Sequence, residues 1–475
     1  MCISASRYAT ISRVSQLAKL VAVLYVFAGS LALLCWSAGD APIATPYVDP
    51  VAKIQAHQEA VNGASSLEMA ARGSWLNPRL LRRPTFAHPP LLNWLQAVGA
   101  KLFGPDVWAL RVPSLIAGAG TSALVFAWLL FQLDDLAVAL VGAVLILSSH
   151  LFFILSRLGL PDALLTFWIT LAMFALARRP RLDSPFALWT FGVATGAALL
   201  TSGSPGALPL FMLAAFCAIS PEHPARLRLL QVLALALIIA VPWHIYQLAT
   251  HGQLFRSTYG AAELINSAAP HALSPESRFW FYPKRMLLLD APLLLAAVIA
   301  LLWKRPRLLL AWILTTLVAL AFQPAHVENL LLLLPALAIL AALIVPVKLA
   351  KAAAGLATVL FIAKLLMPAQ PWGIPLDPEA IDPSDAALAR YSALHRGNLL
   401  YVVDPDDHLY AAALLIPNVN FAYPDASLAD FLRDHPGQDF FVPSEWMLRD
   451  QSVHQVLPMR GTRAFLLARK MIHRP

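Results

Sequence analysis

The stretch Leu20–Trp36, LVAVLYVFAGSLALLCW, decides the class of this chain. It carries no charge and reaches the lower end of the roughly 17–25 residues that a helix needs to cross a bilayer. Arg7, Arg13 and Lys19 precede it. A cleaved leader would have an apolar core of about 7–15 residues and a small-x-small site after it. This run is longer and no clear site follows, so it reads as a retained first span with its N-terminus inside. Ten further apolar runs follow, at 108–131, 136–154, 162–177, 186–201, 205–220, 227–246, 286–303, 308–323, 329–346 and 352–368. The expectation is a polytopic α-helical membrane protein with about eleven transmembrane helices.

Composition agrees. The chain has 475 residues, 59% hydrophobic and 13% charged, with mean hydropathy +0.65. Soluble domains run at about 45–50% apolar and about 25% charged, which excludes an ordinary soluble enzyme, a disordered chain or a nucleic-acid binder. Charge is unevenly placed. Residues 369–475 hold 13 acids and 9 bases, whereas residues 1–368 are strongly basic. The bases fall in alternate loops: Arg178, Arg179 and Arg181; Arg226 and Arg228; Lys304, Arg305 and Arg307; Lys348 and Lys351. That is the positive-inside pattern. One inner loop departs from it, because Asp134 and Asp135 have no base beside them in sequence.

An odd number of spans puts residues 369–475 outside, with two long outer loops at 37–107 and 247–285. In the first loop Leu91, Leu92, Trp94, Leu95, Val98, Leu102 and Phe103 share one helical stripe. Such a helix rests in the membrane interface or serves as the core helix of a large loop; periodicity leaves both open. Residues 369–475 alternate short β-like runs (399–404, 419–425, 439–443, 463–470) with helical ones (382–396, 427–435), which predicts a small C-terminal α/β extracytoplasmic domain. Residues 1–368 form the membrane domain. Cys2, Cys35 and Cys217 imply no disulfide framework.

Ionisable groups at span ends are costly to hold there and are candidates for function. The outer face collects Glu59 and Glu68, then Arg82, Arg83 and His88, then Asp162, and later Arg278, Lys284, Arg285 and Asp290, with His326 and Glu328 read as a polar loop. Bases can hold a phosphate, and a carboxylate can take a proton from an attacking hydroxyl. Asp162 has a second reading as a helix cap. No phosphate-binding glycine loop, dinucleotide fingerprint, HExxH or calcium loop is present. No ligand spacing marks a metal, although the His and carboxylate side chains leave a divalent ion open; no cofactor is assigned.

The order of motifs resembles a known family. QEAVNGASSLEMAARGSWLNPRL at 58–80, FAHPPLLNWLQAVGAKLFG at 86–104, RVPS at 111–114, SRLGLPDALLTFW at 156–168, LLTSGSPG at 199–206, VPWHIYQLATHGQLF at 241–255 and FWFY at 279–282 are similar to motifs of the bacterial type-C glycosyltransferases. These are the dolichyl-phosphate-mannose protein mannosyltransferase and aminoarabinose transferase relatives. The resemblance implies a GT-C fold and an outward-facing site. It implies inverting transfer of a sugar from a polyprenyl-phosphate-linked donor to an envelope lipid, glycan or protein acceptor, at the inner (plasma) membrane, with membrane lipids as neighbours and no nucleic acid. It assigns Glu59 and Asp162 as catalytic carboxylates, and Gln58, Arg82, Arg83, His88, Arg278, Tyr282 and Lys284 as substrate-binding. The chain departs from the family at Gln58, which replaces an Asp, at Ala87 and His88, which replace Glu and Lys, and at Ser202, which replaces a Lys. Those departures motivate an alternative, a degenerate relative that binds a lipid-linked saccharide or a partner without transferring sugar. A transporter of lipid-linked sugar is a weaker one.

Overall fold

The computed structural model describes residues 15–36, 38, 57–80, 83–86, 88–260, 275–322 and 326–366, together with five strands between 400 and 469. Each apolar run read from sequence falls on a helix: α1 (Gln16–Cys35), α4 (Val107–Leu133), α5 (Leu136–Ser148) with the short α6 (His150–Leu155), α7 (Pro161–Arg178), α8 (Pro185–Ser202), α9 (Leu208–Ile219), α10 (Arg226–Phe255), α11 (Pro275–Lys304), α12 (Arg307–Ala321), α13 (Leu334–Leu343) and α14 (Val347–Leu366). Among the described residues, α1, α4, α7, α8, α11 and the helix beginning at Arg226 are long and apolar enough to cross a membrane, and α5, α9, α12 and α13 are shorter apolar helices. The run 136–154 is interrupted at Ser149, whose extended backbone ends α5 and caps α6.

Two helices stand outside this set. The α2 helix (His57–Arg72) and the α3 helix (Leu91–Phe103) both fall between α1 and α4. Between them lies a two-stranded hairpin, β1 (Arg79–Leu80) and β2 (Arg83–Pro84), with Leu80 opposite Arg83. In α3 the apolar stripe divides: Leu95, Val98, Leu102 and Phe103 are exposed, Leu102 at 71%, while Leu92 is buried in the core and Leu91 and Trp94 are half-buried; Asn93 and Gln96 are buried as well. Gly99 lets α3 lie directly on α4, since a Cβ there would sit 2.6 Å from the Ala109 carbonyl oxygen. That carbonyl has no helical partner four residues on, because Pro113 has no N–H.

The ends of the long helices sort onto two faces. At one face, Lys19 of α1 pairs with Asp134 at 2.6 Å, and the Phe131 ring lies between the Lys19 ammonium (5.8 Å) and the Arg178 guanidinium (4.8 Å). The acidic loop that broke the charge pattern therefore has its base, supplied from another helix. The C-cap Asp134 is left-handed, φ 57°, a conformation that Asp tolerates better than most residues.

Beyond the helices, β3 (Leu400–Val403), β4 (Val419–Ala422), β5 (Asp439–Pro443), β6 (His454–Pro458) and β7 (Phe465–Arg469) form one sheet in the order β4-β3-β5-β7-β6. The β3 strand runs parallel to both β4 and β5, and β7 antiparallel to β5 and β6. Parallel neighbours need crossovers of about a dozen residues or more, which 404–418 and 423–438 are long enough to supply. Four of these strands were read from sequence and β6 was not. The helices read at 382–396 and 427–435 lie outside the described residues.

Candidate active site

The segment between α1 and α4 is pinned to the long apolar helices by a buried polar junction. Glu59 of α2 and Arg111 of α4 are both almost wholly shut from solvent. Arg111 Nε donates to Glu59 Oε1 at 2.7 Å and Nη2 to Oε2 at 2.9 Å, while Nη1 donates to the Ala38 carbonyl at 2.7 Å. The Gly159 N–H also donates to Glu59 Oε1, at 2.7 Å. A buried charge needs a partner and satisfied hydrogen bonds, and each carboxylate oxygen here has at least one donor.

Gln96 completes the junction. Its Nε2 donates to the Leu110 carbonyl (2.9 Å) and the Gly159 carbonyl (3.1 Å), and Ser66 Oγ sits 2.8 Å from its Oε1. Asn93 donates to Ser66 Oγ at 3.0 Å and to the Asn62 carbonyl at 3.1 Å. The loop between α6 and α7 is thus held from several sides, since Ser114 Oγ also donates to the Leu160 carbonyl at 3.1 Å and Arg157 to the Trp36 carbonyl at 2.6 Å.

That loop delivers Asp162. Leu160 occupies the N-cap of α7 with Pro161 after it, so Asp162 is in the first turn and not the cap. Asp162 is partly exposed. Carboxylates are favoured at this end of a helix, where N–H groups point outward. Its carboxylate interacts electrostatically with Glu328, which lies on the short 3-10 turn Val327–Leu332 packed against α7. The buried Tyr282 hydroxyl hydrogen-bonds to Asn329 and to the His326 backbone on the same segment. The segment 326–329 therefore lies near Asp162 of α7 through Glu328 and bonds Tyr282 of α11.

A second group clamps the segment before α3. Trp243 Nε1 donates to the Leu76 carbonyl at 3.1 Å, Asn77 Nδ2 to Tyr246 at 3.1 Å, and Gln247 also bonds Leu76. Gly252 turns the chain back with φ 46°, so that Tyr259 stacks on Phe255 at 5.0 Å and reaches His244 Nε2 at 3.1 Å. His244 Nδ1 faces the Ala240 carbonyl at 2.8 Å. A carbonyl only accepts, so Nδ1 carries the proton and Nε2 accepts from Tyr259. Phe86 packs edge-on against Phe255 at 5.2 Å, which ties this cluster to the segment bearing Arg83 and His88.

Several site residues named from sequence are now placed. Glu59 is locked in the Arg111 pair, and Asp162 and Tyr282 lie beside the Glu328 turn. Arg83 is exposed on β2. His88 is partly buried, and desolvation lowers its pKa below the ordinary imidazole value. Lys284 is exposed on α11. Arg82 and the side chains of Gln58 and Arg278 lie outside the described residues. Arg111, Gln96 and Glu328 were given no role. Arg111 could have been flagged as a charge beside an apolar run; Gln96 had no such signal.

Residues 87–246 match the family model for dolichyl-phosphate-mannose-protein mannosyltransferase. The crystal structure of ArnT from Cupriavidus metallidurans bound to undecaprenyl phosphate superimposes with TM-score 0.71 over 94% of this chain and 97% of that one, at 17% identity. The fold is that of ArnT. Its apo form matches equally, with TM-score 0.69 over 95% of the chain. In sequence, undecaprenyl phosphate-alpha-4-amino-4-deoxy-L-arabinose arabinosyl transferase 1 of Sodalis glossinidius is 30% identical over 307 residues, 59% of this chain and 52% of the relative. The corresponding transferase of Erwinia tasmaniensis is 29% identical over 228 residues, 46% of this chain and 36% of the relative. The chain spans about half or less of the length of these curated relatives. The mannosyltransferase and aminoarabinose transferase resemblance of this multi-pass membrane protein thus holds in motif order, family model and fold.

Proposed function

We propose that this protein is a glycosyltransferase that moves a sugar from a polyprenyl-phosphate donor to an acceptor on the outer face of the membrane. The observation that carries the reading is Asp162, a partly exposed carboxylate at the N-terminal turn of α7, fixed in place by the Glu59–Arg111–Gln96 junction. The curated relatives, named as undecaprenyl-phosphate arabinosyl transferases, supply the donor class.

In this reading an acceptor hydroxyl oxygen attacks the anomeric carbon from the face opposite the phosphate. The new C–O bond forms as the bond from that carbon to the phosphate oxygen breaks. The hydroxyl proton passes to Asp162, and polyprenyl phosphate leaves carrying the electron pair. Arg83, and Arg82 beside it in sequence, offset the charge on the leaving phosphate, as fixed cations do at developing anions. Glu59 serves as a positioning group, since its oxygens already hold Arg111 and Gly159. The outward stripe of α3 rests in the headgroup layer. The basic loops hold the N-terminus on the cytoplasmic side, and residues 369–475 form the outer α/β domain.

The test is turnover in proteoliposomes. Full-length protein given undecaprenyl-phosphate-linked aminoarabinose and envelope lipid acceptors should release undecaprenyl phosphate, and Asp162→Asn should not. Release that survives Asp162→Asn would remove this carboxylate from the mechanism. No release across a panel of lipid-linked sugars would end the transfer reading.

A further inference from the structure

We infer that Gln96 is a positioning residue that couples the seat of the interfacial helix α3 to the placement of Asp162. On one side of α3, Leu95, Val98, Leu102 and Phe103 are exposed; on the other, Gln96 is wholly buried. The Gln96 amide spends both of its N–H groups on backbone carbonyls, Leu110 in the first turn of α4 and Gly159 in the loop three residues ahead of Asp162. Its oxygen lies 2.8 Å from Ser66 Oγ of α2, whose single proton is shared with the Asn62 carbonyl at 2.7 Å. One side chain therefore ties α2, α3, α4 and the α6–α7 loop together. Gly159 is gripped at both its carbonyl, by Gln96, and its N–H, by Glu59. There is no slack at this point, since a Cβ on Gly159 would stand 2.9 Å from Gln96 Nε2. A shift of α3 in the headgroup layer is transmitted through Gln96 to Gly159 and so to the first turn of α7. A displacement of about 1 Å at a reacting group can cost on the order of a hundredfold in rate.

The role of Asp162 rests on the transfer reading above; its placement does not, so two readouts separate them. Gln96→Met keeps the shape and removes all three hydrogen bonds. In full-length protein reconstituted in nanodiscs, amide hydrogen exchange over 156–164 should speed up in this variant. Per folded molecule, kcat should fall about ten- to hundredfold while KM for the lipid-linked donor stays within about twofold. Gln132→Met, which removes the bond to the Trp128 ring N–H near the opposite end of α4, should change neither. Unchanged exchange over 156–164 in Gln96→Met overturns the coupling. A loss of activity that only tracks the loss of folded protein overturns it as well. If the wild type transfers no sugar, the transfer reading has failed, and exchange alone decides whether Gln96 places Asp162.

Discussion

Glu59 and Arg111 face each other through two hydrogen bonds, 2.7 and 2.9 Å long, with both side chains buried. They join α2 to the first turns of α4. Removing one partner of such a pair leaves the other as an uncompensated buried charge, which costs about 3–5 kcal/mol. Glu59→Gln and Arg111→Met should each lower the thermal midpoint in detergent sharply. The double variant should lose less than the two single losses added together. Strict additivity in that double-mutant cycle would show that the pair is not coupled.

Asp162 interacts electrostatically with Glu328 across the α7 contact. Asp162→Asn should reduce sugar transfer by about 10²–10⁴-fold, the range for a lost acid–base group. Glu328→Gln should reduce it less, and adding it to Asp162→Asn should cost little more, because both act on one step. Full additivity in initial rates would place them in separate roles.

The end of the bundle that carries Asp134 depends on Phe131, which lies near Lys19 and Arg178. A cation over an aromatic face is worth about 0.5–1 kcal/mol when exposed and about 2 when desolvated. Phe131→Leu keeps the apolar volume and should lower stability by about 1–2 kcal/mol. It should also make α1 easier to cleave away by limited proteolysis. Unchanged proteolysis would mean that the Lys19–Asp134 pair anchors α1 unaided.

His88 gives a pH dependence. Desolvation lowers the pKa of this imidazole in the folded chain, whereas in the unfolded chain it takes a proton near pH 6.5. Below that value the unfolded state binds more protons, so the contribution is complete above about pH 6.5 and lost as pH falls. Wild type should lose more thermal stability than His88→Asn between about pH 7.5 and pH 5.5. Equal losses in both would show that His88 is free to charge in the fold.

How much of this was legible in the chain follows from the physics of each part. Hydrocarbon demands unbroken apolar helices, so the runs from Leu20 to Met367 declared themselves, as did the basic loops and the β-like alternation at 400–403 and 439–443. The ordered motifs also carried the family resemblance. Pairing between distant segments carries no local signature. Lys19 reaches Asp134, Arg111 reaches Glu59 and Gln96 reaches Gly159 only once helices have packed, because each partner is set by interhelical distance and not by spacing along the chain. The sequence by itself therefore determined a multi-pass helical body with charged residues at its rims. Only the tertiary structure decided that Glu59 is tied up in an ion pair while Asp162 stays partly open. Burial and partnership, which separate a locked carboxylate from an available one, are properties of packing.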